Sequence, residues 1–531
     1  MAEYIVSLKK DVDCESFHNE MTTEFGSDTV PRRTVDVIND RKAISRLFHY
    51  NLNKAEADLL RLDSRVLAVE LNPMDNPLIE HSFSAVQVAN FTKPDTQWWE
   101  NYVNWGLKRC SSETNIYGTS ESIDDNAYNY PLDGSGVDIV VMDSGVDITH
   151  PEFFDKNNSS RVKTINWPIE SGLTDILQPQ SHYSDVDGHG THVAGICAGK
   201  TFGWAKNAHI YPMHINLGRD LNGFTITDAF DLILEWHRKK LREGNNRPTI
   251  VNMSWGTIVK VSSSATIVAG IYRGEPWNFT DRDITREYIY ENFGIVKYFD
   301  NVLRFPAQVS AYDIATEELI SAGIHVVIAA GNIPLKIDTP LGVDYNNLLY
   351  FDQDNSSYVQ YTNRIGSPYA QDSILVGNVD DEANADGIDT PANSATRGPV
   401  IDIWAPGTNI MSAYTSNPGL VFRPSGTYHL NNRFRQAVIS GSSMAAPQAT
   451  GLSANILQMH PMYTPAQLKE KLKLDAIPGQ ISTTEFDDDW TSNETALWGS
   501  TTRMMYNKFT TAEPGTFDTI DYVNFAQSSV R

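Results

Sequence analysis

The chain contains 531 residues, of which 41% are hydrophobic, and it carries a formal net charge of −24. This length predicts two or three domains. The acidity argues against nucleic acid as a partner, because surfaces that bind nucleic acid are basic. No run of about 18 uncharged apolar residues occurs, so we expect neither a membrane-spanning helix nor a membrane partner. The three cysteines, Cys14, Cys110 and Cys197, predict neither a disulfide framework nor a metal site.

The first 75 residues have the pattern of a small α+β domain. Apolar alternation predicts four strands, at Tyr4–Leu8, Thr34–Ile38, Arg46–Leu52 and Val66–Leu71. Helical spacing predicts two helices, over Cys14–Phe25 and from the N-cap Asn53 through Leu60. The order strand, helix, strand, strand, helix, strand is typical of a ferredoxin-like fold.

Residues 76–97 are predicted to form a linker, because they are polar and contain Pro77 and Pro94. Residues 98–476 form the predicted main domain. From Gly134 onward, strand patterns alternate with helical patterns, which predicts an α/β fold with a doubly wound, mostly parallel sheet. The last residues, 477–531, are polar and acidic and are expected to form a C-terminal extension.

Three segments of the main domain carry candidate catalytic residues. In the first, the largely apolar run 137–142 predicts a buried strand that ends at Asp143. Open α/β sheets place their chemistry at this carboxyl edge. In the second, Asp187–Gly195, His189 lies between two glycines and precedes a helical run. A further histidine, His192, follows three residues later and is the rival candidate for a base.

The third segment, Ser440–Pro447, contains the candidate nucleophile Ser443. Gly441 permits a sharp turn of the backbone, and Met444–Leu457 is predicted to be helical. Ser443 is therefore expected at a helix N-terminus, where the N–H groups and the helix dipole favour an oxyanion. A hydroxyl is a weak nucleophile that needs a base, and the base needs an orienting acid.

These three segments together resemble the motifs of the subtilisin-like serine proteases, which follow the same chain order of Asp, His and Ser. The resemblance implies that Asp143 orients His189, that His189 is the general base and that Ser443 attacks. The family places its base first in His-Gly-Thr-His, which leaves His192 to helix packing. The resemblance also implies that Asn332, which ends a buried strand, donates to the oxyanion beside the Ser443 backbone N–H.

The resemblance further implies a substrate-binding wall at Ser254, Trp255 and Gly256, along which a peptide pairs as an added strand. Trp255 stands where the family usually has Leu. Two interpretations remain open, since this Trp either shapes a subsite or fills the core.

An insertion of the main domain follows at about 257–306, rich in aromatic and charged residues. It is expected beside the cleft as a lid, a substrate restrictor, a contact for another chain, or a surface excursion that packs only on itself. The stretch Ile333–Arg364 is expected to be loop-like.

By the same resemblance, residues 1–75 are similar to the inhibitory propeptide that precedes the enzyme in this family, with the processing cleavage expected in the linker 76–97. The short connection Ala198–Ala208 is similar to the proteinase K-like branch, which lacks the insertion that forms a strong calcium site in bacterial subtilisins. No cofactor is expected for the chemistry. A structural calcium ion is compatible with the many carboxylates, but no motif places one.

The resemblance thus implies a serine endopeptidase, made as a zymogen, that acts on proteins or peptides and is inhibited by its own N-terminal domain. The alternative is a structural component of a larger assembly, for example a virus particle, that carries a latent protease domain and docks through the insertion or the C-terminal extension. The first residues lack the apolar core of a signal peptide. They therefore predict a cytoplasmic or particle-associated location.

Overall fold

The computed structural model describes the chain in segments. They are residues 1–83, 104–115, 130–217, 223–262, 267–280, 284–295, 302–351, 358–361, 366–416, 426–482 and 497–510, apart from residues 28, 31, 32, 40, 42 and 385. In these segments no helix is long and apolar enough to cross a bilayer.

The N-terminal unit is a four-stranded antiparallel sheet with two helices. Its elements are β1 (Ala2–Leu8), α1 (Cys14–Thr22), β2 (Asp36–Asn39), β3 (Leu47–Leu52), α2 (Lys54–Leu60) and β4 (Val66–Leu71). The strand order β2-β3-β1-β4 is that of a ferredoxin-like sheet. Phe17 and Met21 of α1 are buried in a core that is separate from the main one. Helix α1 ends three residues earlier than predicted, at Thr22.

A fifth strand, β5 (Ile79–Phe83), follows within the segment predicted as linker. That prediction is wrong for these residues. Their polar and apolar side chains show little that favours a strand, and their partner lies far away in sequence, in the main domain. The rest of the predicted linker, 84–97, lies outside the described residues.

The main domain contains the remaining helices and strands. The helices are α3 (Trp105–Arg109), α4 (Trp167–Ser171), α5 (His189–Ala198), α6 (Ile226–Arg242), α7 (Arg286–Asn292), α8 (Ser310–Ser321), α9 (Ser442–Met459) and α10 (Pro465–Asp475). The strands are β6 (Asp138–Asp143), β7 (His209–His214), β8 (Thr249–Met253), β9 (Trp255–Ser262), β10 (Ala269–Tyr272), β11 (Glu275–Asn278), β12 (Val302–Pro306), β13 (His325–Ala329), β14 (Leu348–Tyr350), β15 (Tyr358–Gln360), β16 (Ile374–Ala383), β17 (Asp389–Pro391), β18 (Ile403–Pro406), β19 (Ile410–Tyr414), β20 (Gly426–Tyr428) and β21 (Asn431–Ile439).

The central sheet has the order β17-β16-β13-β8-β6-β7, with β18 also paired to β16. In this sheet the pairs formed by β6, β7, β8, β13, β16 and β18 are parallel, and of its described strands only β17 pairs antiparallel. Strand β6 is buried along its whole length, as its apolar sequence requires in a sheet covered on both faces. After β6 the chain continues to β7 on one side and then to β8 on the other. The carboxyl ends of β6 and β8 therefore flank a topological switch point, where α/β sheets form their functional crevice.

The insertion at 257–306 does not pack only on itself. Its hairpin β10–β11 joins β14 and β15 in one sheet, and Leu349 and Tyr361 share a hydrophobic core with Trp277 and Phe305. The stretch Ile333–Arg364 was expected to be loop-like, and this is wrong for β14 and β15. Strands of three residues are too short to show alternation, and their pairing to the insertion is non-local.

The C-terminal boundary of the main domain also lies later than residue 476. Met504 and Met505 are buried in the main core, and Met504 is bridged to both Ile477 and Trp404. The described part of the predicted extension therefore belongs to the main domain. Polar residues surround these methionines in the sequence, so the local pattern did not predict that they are buried.

Candidate active site

Asp143 and His189 form a buried hydrogen-bonded pair at the switch point. Asp143 is the last residue of β6, and His189 is the first residue of α5. The His189 Nδ1 atom lies 2.8 Å from Asp143 Oδ1, and both side chains are fully buried. Because a carboxylate only accepts, Nδ1 carries the proton of this bond. The neutral ring then has Nε2 as its acceptor, which is the tautomer a general base needs.

A carboxylate that the sequence analysis missed connects the two turns that carry this pair. The buried Asp185 accepts through Oδ1 from the Ser144 hydroxyl at 3.0 Å and the Gly188 N–H at 2.7 Å. Its Oδ2 accepts from the Thr191 N–H at 2.9 Å and the Thr191 hydroxyl at 2.5 Å. Burial raises the pKa of the Asp185 carboxyl. An acid four residues before a helical histidine was the available signal, since carboxylates favour helix N-termini.

Ser443 lies in the first turn of α9, and Gly441 before it has a φ of 142°, which only glycine adopts without strain. The Ser443 hydroxyl donates to the Ser254 carbonyl at 2.8 Å, and the Ser254 hydroxyl donates to the Ser443 carbonyl at 2.9 Å. Helix α9 also packs against α5, the helix of His189. The single hydroxyl proton of Ser443 thus points to the Ser254 carbonyl, and it must turn away from that carbonyl before another acceptor can take it.

Asn332 is attached to the same helix start. Its Oδ1 atom accepts from the Ser442 N–H at 2.8 Å, and the Ser442 hydroxyl accepts from the Gly331 N–H at 3.0 Å. These two bonds hold Gly331 and the side-chain oxygen of Asn332 beside the first turn of α9. The structure therefore brings the candidate oxyanion donor to the segment of Ser443.

The rival base His192 has a different environment. Its Nε2 atom lies 3.1 Å from the Ile410 carbonyl and 3.0 Å from the Ala437 carbonyl. A nitrogen between two carbonyls is a donor, and burial lowers the pKa of His192 to about 3. The ring is thus a neutral link between α5 and the strands β19 and β21.

Trp255 and Gly256 of the predicted substrate wall are the first residues of strand β9, and both are paired with β5. Phe83 is opposite Trp255, and residue 82 is opposite Gly256. The Trp255 side chain is fully buried and lies edge-on to Tyr312, with ring centroids 6.1 Å apart. The Trp255 side chain thus packs within the core.

The described side chains include His, Cys, Asp and Glu, which are the usual ligands of metal ions in proteins. Among them, no group of three or more His, Cys, Asp or Glu residues is placed to hold a metal ion.

Comparison with known proteins assigns the family. The profile of the subtilase family, Peptidase S8, matches residues 134–502, which is more than half of the chain. The chain belongs to the subtilase family of serine proteases and is a hydrolase that acts on peptide bonds.

Curated relatives agree with this assignment. The chain is 25% identical to the subtilisin-like serine protease Cur l 4.0101 of Cochliobolus lunatus, over 90% of this chain and 76% of that protein. It is 26% identical to the extracellular serine proteinase of Thermus sp. (strain Rt41A), over 71% of this chain and 62% of that protein, so it spans less than two thirds of the Thermus relative. Fervidolysin from Fervidobacterium pennivorans matches with a TM-score of 0.51 and 17% identity, over 97% of this chain and 61% of that one. The fold is therefore subtilisin-like α/β.

The expected cytoplasmic or particle-associated location is contradicted by these relatives. The Thermus protein is named as extracellular, and a relative from Arthrobotrys oligospora, 24% identical over 90% of this chain and 87% of that protein, is named as a cuticle-degrading serine protease. The expectation rested on the first residues of the chain alone. Membership of a protease family likewise does not favour the alternative of a structural component.

Proposed function

We propose that the chain is a serine endopeptidase that uses Asp143, His189 and Ser443 as a catalytic triad. The observation that carries this proposal is the buried 2.8 Å pair of Asp143 and His189 at the switch point of the sheet. When a buried acid holds the proton on Nδ1 of a histidine, Nε2 keeps its lone pair and can accept a proton as a base. Ser443 supplies a hydroxyl at the N-terminus of a helix that packs on the helix of His189.

The proposed reaction proceeds through an acyl-enzyme. The Ser443 hydroxyl turns from the Ser254 carbonyl to His189 Nε2, which takes its proton as the oxygen attacks the peptide carbonyl. Asp143 stabilises the imidazolium that forms. Asn332 and the backbone N–H of Ser443 donate to the oxyanion, and His189 then protonates the leaving amine. Water then hydrolyses the acyl-enzyme ester by the same steps. No cofactor enters, because side-chain and backbone groups fill every role.

We also propose that the enzyme is made as a zymogen, with the N-terminal unit as its inhibitor. Strand β5 pairs with β9 over the wall where a substrate strand is expected. Arg41 of the N-terminal unit forms a buried bidentate pair with Asp231 of α6, at 2.9 and 2.7 Å. Glu70 accepts from the Ser310 N–H at the start of α8 at 2.9 Å. These contacts support a unit that occupies the cleft and stays docked.

The first experiment compares the intact mass and the peptidase activity of wild type with those of Ser443→Ala. We expect wild type to lose an N-terminal fragment and to cleave peptides, and the variant to do neither. The loss for this substitution in subtilisin itself is about a millionfold. Ser453→Ala, a buried serine further along the same helix, is the matched control and should process normally. Processing or peptide cleavage by Ser443→Ala would refute the assignment.

A further inference from the structure

Strand β9 continues the substrate wall well beyond the catalytic residues. It runs for eight residues, and β5 pairs antiparallel with the first five of them, from Phe83 opposite Trp255 to Ile79 opposite Val259. The backbone N–H of Lys260 reaches one residue further, to the Leu78 carbonyl at 3.3 Å. On its other side β9 is paired with β12 of the insertion. The insertion therefore holds an extended edge on which a peptide can pair upstream of the cleaved bond.

Two cations lie opposite each other on β9 and on β12, the strand on the far side of β9 from this edge. Lys260 of β9 is directly opposite Arg304 of β12, so the two side chains lie on the same face of the sheet. Like charges in directly opposed positions destabilise a sheet. Glu80 of β5 is opposite Ile258, two residues from Lys260, and this spacing places its side chain on the same face.

Glu80 forms an ion pair with Lys260. Both side chains are about one third exposed, at 33% and 38%, so the pair lies at the rim of the cleft. The neighbouring residue His81 has the opposite orientation, buried, with its Nε2 3.1 Å from the Tyr312 hydroxyl. The strand in the cleft thus presents an acid outward to the basic pair and buries the next side chain.

We propose that Lys260 and Arg304 form a subsite that selects an acidic side chain in the substrate, at the position that Glu80 fills in the intact chain. This inference rests on the proposed function and deepens it by naming the substrate class. Ser254, whose carbonyl accepts from Ser443, directly precedes Trp255. A substrate in the register of β5 therefore carries its acidic residue four positions before the residue opposite Ser254.

The preference arises from charge and is modest for one pair. An ion pair at this exposure contributes little alone, but a basic side chain at the same position meets a cation, which widens the difference between acidic and basic substrates. The chemistry selected is a carboxylate, because the carboxylate of Glu80 is the group that pairs with Lys260 in the intact chain. Salt is expected to weaken the preference, because exposed charges are screened.

The test uses quenched fluorescent peptides with the sequence of residues 78–90, carrying Glu, Gln or Lys at the position of Glu80. For wild type we expect kcat/KM to be about threefold higher for Glu than for Gln and about tenfold higher than for Lys. In Lys260→Glu the order of the Glu and Lys peptides should reverse. Lys473→Glu, which changes the net charge equally on helix α10, is the control and should keep the wild-type order.

A second measurement does not need catalysis. In Ser443→Ala, hydrogen exchange of the β5 amides should be faster after Glu80→Lys and restored by the further change Lys260→Glu. Three results would overturn the subsite. They are equal cleavage of the three peptides, a Glu preference that persists in Lys260→Glu, and hydrogen-exchange rates that do not change when the charges are exchanged. Peptides that wild type and Ser443→Ala leave equally uncut would overturn the proposed function instead, and the exchange experiment would still decide the subsite.

Discussion

At the scale of single residues, the proposed triad depends on a carboxylate that is not one of its members. Asp185 accepts from the residue after Asp143 and from residues on either side of His189. Its partners are the Ser144 hydroxyl in one turn and backbone N–H and hydroxyl groups of the other turn. A change in this one side chain therefore alters the relative placement of acid and base without removing either.

We predict that Asp185→Asn lowers kcat about a hundredfold and leaves KM nearly unchanged. The amide of Asn places its own N–H groups against the N–H donors of Thr191 or Gly188, and this repulsion separates the two turns. A misplacement of catalytic groups by about 1 Å lowers the rate about a hundredfold. Steady-state kinetics measures the split between kcat and KM. The matched control is Asp402→Asn, a buried carboxylate that accepts from the Leu375 N–H and Lys469. Equal kcat values in the two variants would show that Asp185 is only structural.

The residues that the sequence predicted and those it missed differ in where their partners lie. Asp143, His189 and Ser443 stand at ends of elements whose local patterns are strong, so their places followed from strand and helix patterning. The role of Asp185 depends on the Ser144 hydroxyl in one turn and on backbone N–H groups around His189 in another. The basic pair of Lys260 and Arg304 depends on a register between strands about 40 residues apart, and no local pattern contains such information.

At the scale of elements, the close approach of helix α5 to strand β6 fixes the Asp143–His189 pair. A Cβ atom added at Gly190 would lie 2.1 Å from the Gly145 carbonyl oxygen and 3.2 Å from the Asp143 Cβ atom. The obstacle is backbone, which has little freedom to move aside. The glycine is therefore required for the contact between the two elements.

Gly190→Ala should displace the start of α5 from Asp143 and abolish most of the activity of the folded protein. Circular dichroism and peptide turnover, measured below the unfolding temperature of the variant, separate folding from catalysis. Gly451→Ala is the control, because its Cβ would lie 2.5 Å from the Trp204 Cβ atom in the middle of α9. Both variants should lose stability, and only Gly190→Ala should lose kcat. Retained kcat in folded Gly190→Ala would contradict the argument.

Short strands limited the prediction at this scale. The alternation of residues 2–8 and the continuous apolar run of β6 were long enough to be recognised. Strands β5, β14 and β15 have three to five residues, and their pairing partners lie far away in sequence, so only the folded arrangement reveals them.

At the scale of the whole molecule, buried histidines make stability depend on pH. Burial lowers the pKa of several of them, to about 4 for His81 and His237 and to about 3 for His182, His192 and His325. Below their unfolded pKa of about 6.5, the unfolded chain binds protons that the folded chain excludes. The free energy of unfolding should therefore fall as the pH falls from about 6.5 toward 4.

His325→Leu should reduce that dependence by as much as about 1.4 kcal/mol per pH unit, the contribution of one proton. Urea unfolding of wild type and variant at a series of pH values measures the two slopes. Above pH 7 the two curves should run parallel, because the histidine is neutral in both states there. A variant slope equal to that of wild type below pH 6 would show that His325 does not contribute.

A buried ion pair attaches the N-terminal unit to the main domain. Arg41 is fully buried and pairs with Asp231, so Arg41→Leu leaves a buried carboxylate without its cation. Breaking such a pair costs about 3–5 kcal/mol, and the loss falls on docking. The unit should leave the cleft sooner, and peptidase activity should appear earlier after purification, as followed by turnover and mass spectrometry.

Two further variants separate docking from the stability of the unit itself. Arg33→Leu removes an arginine that pairs with Glu56 inside the N-terminal unit, and it should leave the time of activation unchanged. Arg41→Leu combined with Asp231→Leu removes the stranded charge and should delay activation again, because an apolar contact replaces the broken pair. If Arg33→Leu accelerates activation as much as Arg41→Leu, unfolding of the unit, rather than its release from α6, controls the appearance of activity.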